Sequence, residues 1–264
     1  MVSTRKLVAS LALAFVPAIA TAAGLHPPAM LNRFVRMSHG KIEHQFKTPV
    51  PGMTGWYITS PQVGPKGAVV YTDGGYVFMG ALVTPEGANL SALYTRKFAP
   101  KPRVNKVVDE LAHSKYLIDW GNPKAPVHIY AFEDMNCIFC HLFEVSAKPY
   151  VQSGDAYVQV VPVAFLKPSS PGKAAAVLTA KNRETAYEYD ENHFNERAEE
   201  GGIKPVAVSP AIRKVLAHHW KMLTSDLGLS GTPGILYRSH GHWKVMDGYS
   251  ATLVGHLVAE AKGH

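Results

Sequence analysis

The chain of 264 residues contains two cysteines, and they lie three positions apart in Cys137-Ile138-Phe139-Cys140. Residues 127–132, just before them, form a near-continuous apolar run of β-branched and aromatic side chains, which is typical of a strand in the centre of a sheet. Residues 142–150 can continue as a helix. A disulfide needs Cα atoms about 5.5 Å apart, and positions i and i+3 on the first turn of a helix meet that requirement. The pair therefore predicts a buried strand that leads into a helix beginning at the cysteines.

The position of the pair also predicts its chemistry. At a helix N-terminus, unpaired backbone N–H groups and the helix dipole favour a negative charge, so a cysteine there is activated as its thiolate. We expect Cys137 to be the exposed, attacking sulfur. Cys140, one turn further in, is then the resolving thiol, which attacks a mixed disulfide and releases the partner.

Two other uses of the same pattern are open at this point. A Cys-x-x-Cys pair is often half of a zinc site, but structural zinc needs four ligands and the chain has no second cysteine pair. We therefore expect no metal. His141 completes Cys-x-x-Cys-His, the attachment pattern of a c-type haem, and Met222 or Met246 could supply a sixth ligand. Against haem, strand and helix alternate in this region, whereas most small c-type domains are helical.

The N-terminus has the three parts of a secretory signal peptide. Arg5 and Lys6 give a charged start, residues 7–19 are apolar apart from Ser10, and small residues between 18 and 22 offer cleavage sites. The apolar run is shorter than the roughly 20 residues of a membrane span, and no later segment is long and apolar enough. We expect residues 1–23 to be a signal peptide and the mature chain to be soluble, with no stable membrane insertion.

Charge gives little support to a nucleic-acid partner. The formal net charge is +7, from 27 Lys and Arg against 20 Asp and Glu, and removing Arg5 and Lys6 leaves +5. No block rich in lysine or arginine is present, so we expect a basic exported protein that binds no nucleic acid.

Residues 24–100 have the pattern of a small α+β unit. Thr72-Asp73-Gly74-Gly75 is a hairpin turn, because glycine tolerates positive φ, and the strands around it predict a meander with one covered face. After a proline-rich break, apolar residues at helical spacing predict a helix at 104–116, which we interpret as part of a linker over 101–118. The other predicted elements are a helix at 26–37 and strands at 41–47, 55–59, 68–72 and 76–82.

Residues 119–264 have the element order of a thioredoxin fold with helices inserted in its middle. Gly231-Thr232-Pro233-Gly234 lies where thioredoxin-like folds have a cis-proline that packs against the disulfide. The residue before that proline exposes backbone groups that can pair with a bound peptide. Ser209-Pro210 predicts an N-cap followed by proline at the first helical turn. The predicted elements are a strand at 157–165, mostly helical chain at 171–227, a hairpin from 235–237 and 243–247, and a closing helix at 252–261.

In these segments the chain resembles the bacterial periplasmic thiol:disulfide interchange proteins of the DsbC/DsbG family, DsbG most closely. The resemblance covers most of the chain after the signal peptide, weakly before about residue 65, and its specificity comes from the combination of stretches. They are residues 114–119 (SKYLID), 125–132 (APVHIYAF), 137–140 (CIFC), 167–171 (KPSSP) with the alanine-rich segment after it, and 226–228 (DLG) leading to Thr232-Pro233.

The resemblance implies a cystatin-like α+β domain that dimerises, a linker helix, and an α/β thioredoxin-like domain with a helical insertion. Cys137 would be the nucleophile, Cys140 the resolving cysteine and Thr232-Pro233 the cis-proline loop that binds substrate. The implied protein is a periplasmic disulfide isomerase or reductase, acting as a homodimer on partly folded or misoxidised exported proteins. A membrane thiol reductase of the DsbD type would keep the pair reduced, and no cofactor is implied. A chaperone-like binding module is an alternative role.

Two features near the pair leave its redox character open. Ile138-Phe139 stands where DsbG-like proteins typically have Pro-Tyr, and apolar side chains donate no hydrogen bond to the sulfur. Glu133 and Asp134 would raise the pKa of Cys137 if they approach it, or else they are solvated loop carboxylates. The balance between isomerase, reductase and oxidase activity is therefore not predicted.

Overall fold

Two β-sheets, one after the other along the chain, organise the structure, a computed structural model that describes residues 25–263. The predicted signal peptide, residues 1–23, lies outside the described residues. Within 25–263, no helix is both long and apolar enough to cross a membrane. The first sheet has four strands and the second has five.

The first sheet is an antiparallel meander in which each strand pairs with the next, in the order β1-β2-β3-β4. The predicted strands are confirmed, and Gly74 and Gly75 both have positive φ, 54° and 101°, in the turn between the last two. The second helix of this region is not predicted from the sequence. The elements are α1 (Ala29–Met37), β1 (Lys41–Lys47), β2 (Thr54–Ser60), β3 (Gly64–Asp73), β4 (Tyr76–Met79) and α2 (Leu90–Phe98).

Helices pack on both faces of this sheet, which corrects the prediction of one covered face. Alternate residues of a strand point to opposite faces, so neighbours in β2 belong to different cores. Trp56 packs with Leu31 of α1 on one face. Tyr57 packs with Phe98 of α2 on the other, at a ring-centroid distance of 5.8 Å.

The second sheet has the strand before the cysteines at its centre, in the order β5-β7-β6-β8-β9. β6 pairs parallel with β7 and antiparallel with β8, and the two remaining pairs are antiparallel. Burial on both faces explains the near-continuous apolar run that predicts β6. The strands are β5 (Ile118–Gly121), which is not predicted, β6 (Val127–Glu133), β7 (Ala156–Pro162), β8 (Gly234–Ser239) and β9 (His242–Asp247).

Helices connect these strands in the predicted thioredoxin-like order with a helical insertion, which is confirmed. The insertion between β7 and β8 is less helical than predicted, because residues 193–209 contain no helix. Ser209 caps the next helix, where its side chain accepts a hydrogen bond from Ile212 N at 3.3 Å. The helices are α3 (Val104–Ala112), α4 (Ile138–Gln152), α5 (Ser170–Thr179), α6 (Arg183–Asn192), α7 (Pro210–Lys221) with a π-helical turn (Met222–Asp226), and α8 (Leu253–Lys262).

The predicted linker helix, α3, packs against the second sheet. Leu111 is fully buried in a hydrophobic cluster that includes Phe132 of β6. At the start of the helix, Arg103 and Lys106 form ion pairs with Asp226 of the π-helical turn at 3.0 and 3.2 Å. The helix is shorter than the predicted 104–116 and belongs structurally to the second core. The division of the chain at residues 100 and 118 stays a prediction.

Replacement of Leu111 tests this packing. Because the side chain is fully buried, Leu111→Ala should lower the free energy of unfolding by about 2–5 kcal/mol. Asn105→Ala, at an exposed position of the same helix, is the control and should change it by less than about 0.5 kcal/mol. Urea unfolding followed by circular dichroism measures both variants. A Leu111 variant as stable as the control would contradict the packing.

Candidate active site

The cysteine pair lies at the junction of β6 and α4, as predicted. Cys137 is the N-cap residue, with extended backbone (φ −91°, ψ 112°), and α4 begins at Ile138. The backbone N–H groups of Cys140 and His141 both donate to the Cys137 carbonyl oxygen at 3.0 Å, which forms the first turn. Both cysteines are free thiols. This is the dithiol form of the pair.

A loop 95 residues further along the chain lies against the first sulfur. The Thr232-Pro233 peptide bond is cis, which confirms that prediction. Cys137 Sγ is 3.4 Å from the Thr232 carbonyl oxygen, within donor distance for a thiol. Cys137 is consequently only 5 % exposed, so the prediction of an exposed sulfur is wrong, although Cys140 is still more buried at 1 %.

The pKa of Cys137 is lowered from its ordinary value of 9.0 to about 7. The largest cause is a hydrogen bond from the Cys140 thiol, which stabilises the thiolate, and burial acts in the opposite direction. Thr232 and the backbone N–H groups of Phe139 and Cys140 add further hydrogen bonds. The activation expected at a helix N-terminus is therefore present, with the neighbouring thiol contributing more than the helix backbone.

Thr232 presents two groups to Cys137, one suited to each protonation state. A thiol can donate to the Thr232 carbonyl oxygen, whereas a thiolate has no proton to donate. The Thr232 hydroxyl is buried and has no other hydrogen-bond partner within residues 25–263. It is therefore the group of Thr232 that can donate to the thiolate.

Cys140 has the opposite character. Burial raises its pKa well above the ordinary value, and the negative charge of the Cys137 thiolate and of Glu133 raises it further. At neutral pH, Cys137 is thus close to half ionised while Cys140 keeps its proton. Only one sulfur of the reduced pair is a nucleophile.

Glu133 and Asp134 are both buried, so their interpretation as solvated loop carboxylates is wrong. Burial raises the pKa of Glu133 well above its usual range. Its Oε2 atom is 2.9 Å from the Tyr187 hydroxyl, which donates to it. The charge of the Cys137 thiolate raises the pKa of Glu133 further, and the pKa of Cys137 itself falls because of the hydrogen bonds to its sulfur.

Asp134 joins the cysteine loop to the loop that follows β7. Its Oδ1 atom accepts hydrogen bonds from Asn136 N (3.0 Å) and Ser170 Oγ (2.7 Å). Its Oδ2 atom accepts from the backbone N–H groups of Phe165 (2.8 Å) and Leu166 (3.0 Å). These four hydrogen bonds compensate the burial of the carboxylate. Asp134 therefore has a structural role that its sequence position alone does not reveal.

A cluster of ionisable side chains lies behind the pair, between α4 and α6. His141 Nδ1 is 2.9 Å from Glu191 Oε2, and the Glu191 carboxylate raises the pKa of the imidazole. Burial raises the pKa of Glu191 itself to about 7. Glu144, one turn after His141, is also buried, and ligand atoms of these three residues lie within 4.8 Å of one another. Neither glutamate is predicted from the sequence, where the only signal is a charge at a position of α4 or α6 that faces the core.

This geometry does not fit the haem alternative. In a Cys-x-x-Cys-His site both sulfurs attach to the porphyrin and the histidine ligates the iron. Here Cys140, on the first turn of α4, is buried. The imidazole of His141 is held by Glu191 and stacks on Phe194, with ring centroids 4.5 Å apart and planes 6° from parallel.

The source of the low Cys137 pKa can be tested at Cys140. Cys140→Ala removes the strongest hydrogen-bond donor, so the pKa of Cys137 should rise from about 7 toward 9.0. Cys140→Ser keeps a donor at the same position and should hold the pKa lower than Cys140→Ala does. Thiolate absorbance at 240 nm as a function of pH measures both. A Cys137 pKa that stays near 7 in both variants would show that the helix N-terminus, rather than the neighbouring side chain, activates Cys137.

A central strand that leads into a helix beginning at a dithiol, beside a cis-proline loop, defines a thioredoxin-fold protein with a redox-active pair. A family profile described as thioredoxin matches residues 114–240. A solved structure, the catalytic domain of Proteus mirabilis ScsC, aligns with 61 % of this chain and 98 % of its own, at 17 % identity and a TM-score of 0.46. That likeness is too low to define the fold by itself.

Two curated proteins with similar sequences identify the family. The chain is 32 % identical to the thiol:disulfide interchange protein DsbG of Escherichia coli (strain K12) over 234 residues, which cover 87 % of this chain and 88 % of that protein. It is 29 % identical to DsbG of Pseudomonas aeruginosa over 223 residues, covering 83 % and 82 %. The chain belongs to the DsbG family of thiol:disulfide interchange proteins, and it is a thiol:disulfide oxidoreductase.

Proposed function

We propose that this protein reduces or isomerises wrongly paired disulfides of partly folded exported proteins in the periplasm. The observation that carries the proposal is the pairing of a thiol of pKa about 7, Cys137, with a buried thiol of raised pKa, Cys140. One sulfur is ready to attack at neutral pH. The other stays protonated until the first has reacted.

In the first step, the Cys137 thiolate attacks one sulfur of a client disulfide. The client S–S bond breaks, a mixed disulfide between Cys137 and the client forms, and the second client sulfur leaves as a thiolate. The lowered pKa of Cys137 supplies the thiolate. It also makes Cys137 a good leaving group in the reverse direction, because a thiol of lower pKa leaves faster.

The mixed disulfide then has two outcomes. A client thiolate can attack the client sulfur, which forms a new client disulfide, returns Cys137 and completes an isomerisation. Alternatively, Cys140 loses its proton and attacks Cys137 Sγ, which releases the reduced client and leaves a Cys137–Cys140 disulfide. The second outcome transfers two electrons to the client, so a membrane thiol reductase of the DsbD type must return them.

Thr232 and Pro233 are proposed to hold the client beside the sulfur. The Thr232 carbonyl is 3.4 Å from Cys137 Sγ, so a client strand paired with this backbone would bring its own cysteine to the nucleophile. Phe139 is 55 % exposed although it lies between the two cysteines. An exposed aromatic side chain at that position can contact apolar client segments, and it supports a chaperone-like contribution alongside the redox chemistry.

The two cysteines should fail in different ways. Cys137→Ala should abolish reduction of insulin and refolding of a scrambled multi-disulfide protein. Cys140→Ala should accumulate a client-linked species, because the mixed disulfide forms but is not resolved. Non-reducing electrophoresis with mass spectrometry identifies that species and its attachment at Cys137.

Two results would separate the alternatives. Unchanged insulin reduction by Cys137→Ala would contradict the assignment of the nucleophile. Suppression of client aggregation by a Cys137→Ala, Cys140→Ala double variant would show that client binding continues without thiol chemistry, which is the chaperone-like role.

The first sheet is proposed to form the homodimer interface through β4. This strand pairs only with β3, so its other edge is free within the described chain. Tyr76 is 73 % exposed, and Phe78 and Met79 of the same strand are also exposed. Apolar side chains on a free strand edge favour pairing with another chain.

A charge at this edge should separate the protomers. Phe78→Asp places a carboxylate on the proposed interface and should shift sedimentation equilibrium from dimer to monomer. Gln45→Asp, at an exposed position of the opposite edge strand β1, is the matched control and should remain dimeric. A dimer that survives Phe78→Asp but not Gln45→Asp would move the interface to β1.

A further inference from the structure

An apolar groove lies between the loop that follows β7 and helix α7. Its volume is about 440 Å³, within the roughly 300–1,000 Å³ of ordinary ligand sites. Phe165 and Trp220 line it with their ring centroids 4.5 Å apart, and both side chains are exposed. Ala164, Leu216 and Ala217 also line the groove. Apolar side chains grouped at a surface are typical of a site that binds another molecule.

The topology puts this groove at the same edge of the sheet as the cysteine pair. Because β6 and β7 are parallel, the loops that follow them leave the sheet at one edge, where ligands of open α/β sheets bind. Asp134 joins the two loops. Its carbonyl oxygen accepts from Cys137 N at 2.8 Å, and its Oδ2 atom accepts from Phe165 N and Leu166 N. The groove is therefore held in a fixed position relative to the nucleophile.

The distance from the groove to the sulfur suits one continuous peptide segment. Glu133 is opposite Pro162 in the sheet, and Val163 N donates to the Glu133 carbonyl oxygen at 2.8 Å. Neighbouring strands are about 5 Å apart and successive Cα atoms about 3.8 Å apart. The groove, which starts at Ala164, therefore begins within about 20 Å of Cys137, and an extended chain spans that distance in about six residues.

Helix α7 gives the groove a basic rim. Its sequence contains Arg213, Lys214 and Lys221 and no acidic residue. Arg213 lines the groove and is exposed. A guanidinium group offers N–H donors in a planar fork that matches a carboxylate. The complementary ligand therefore has an apolar side chain for the groove and a carboxylate for Arg213.

We propose that this groove binds an apolar and acidic segment of the client, within about six residues of the cysteine that Cys137 attacks. The inference rests on the proposed function and names the class of client segment that it favours. A large apolar side chain of the client packs against Phe165 and Trp220, and a neighbouring Asp or Glu pairs with Arg213. This contact holds the client during exchange without touching the sulfur.

Reduction of peptide disulfides tests the groove on the chain without its predicted signal peptide. Each peptide carries one cysteine, as a mixed disulfide with mercaptoethanol, and a test dipeptide four positions away: Phe-Asp, Phe-Lys or Ser-Asp. The rate of a single turnover by the reduced protein is divided by its rate with hydroxyethyl disulfide, so that differences in thiol reactivity cancel. The wild-type chain should reduce the Phe-Asp peptide about tenfold faster than the Ser-Asp peptide, because an apolar side chain is buried.

Three variants of α7 identify the groove as the source of this preference. Arg213→Glu should abolish the preference for Phe-Asp over Phe-Lys, because it reverses the charge at the rim. Ala217→Trp should fill the groove and abolish the preference for Phe-Asp over Ser-Asp. Lys214→Glu makes the same charge reversal at the next exposed position. It is the matched control and should keep both preferences.

Each contrary result has a separate meaning. Equal normalised rates for the three peptides, or preferences that both Arg213→Glu and Ala217→Trp retain, would overturn the groove proposal and leave the proposed function intact. A wild-type chain that reduces neither hydroxyethyl disulfide nor any peptide would contradict the proposed function, and the groove proposal would fall with it. A dimer that dissociates in Ala217→Trp but not in Lys214→Glu would assign the groove to an interface between copies of the chain.

Discussion

The parallel pairing of β6 with β7 is the constraint from which the rest of the site follows. Two parallel neighbours cannot be joined by a tight turn, so the chain must cross back over the sheet, and α4 provides that crossover. Because β6 lies in the centre of the sheet, its end and the start of α4 are enclosed by neighbouring loops. A residue at this junction has backbone N–H groups on one side and buried side chains behind it. Cys137 occupies that junction.

Sequence patterns predict the elements whose burial is regular. The continuous apolar run of β6 and the cap at Ser209 both indicate the correct structure. Helix α2 is not predicted because none of its residues is fully buried, so its apolar periodicity is weak. Asn89 does cap this helix by accepting a hydrogen bond from Ala92 N. The burial of Cys137, Glu133 and Asp134 depends on segments distant in sequence, and no local pattern reports such contacts.

Ile138 and Phe139 differ from the residues that DsbG-like proteins typically have between the cysteines, but their side chains have little effect on the pKa of Cys137. The groups that lower the pKa of Cys137 are the Cys140 thiol, Thr232 and backbone N–H groups. The side chains of Ile138 and Phe139 are not among them. Any helix that begins at this point would present the same backbone donors. Phe139 is therefore free to be selected for what it contacts outside the protein.

The docking of α3 has a mechanical consequence. Leu111 and the ion pairs to Asp226 make α3 part of the second core. The connection between the two structural units is therefore the short segment 99–103, between α2 and α3. Two prolines, Pro100 and Pro102, restrict the backbone there. The exposed ion pair between Lys66 and Asp247 that bridges the sheets contributes about 0–1 kcal/mol. In a dimer, a small rotation of the backbone at residue 101 would swing the whole second sheet. It would therefore produce a large change in the distance between Cys137 of one protomer and Cys137 of its partner.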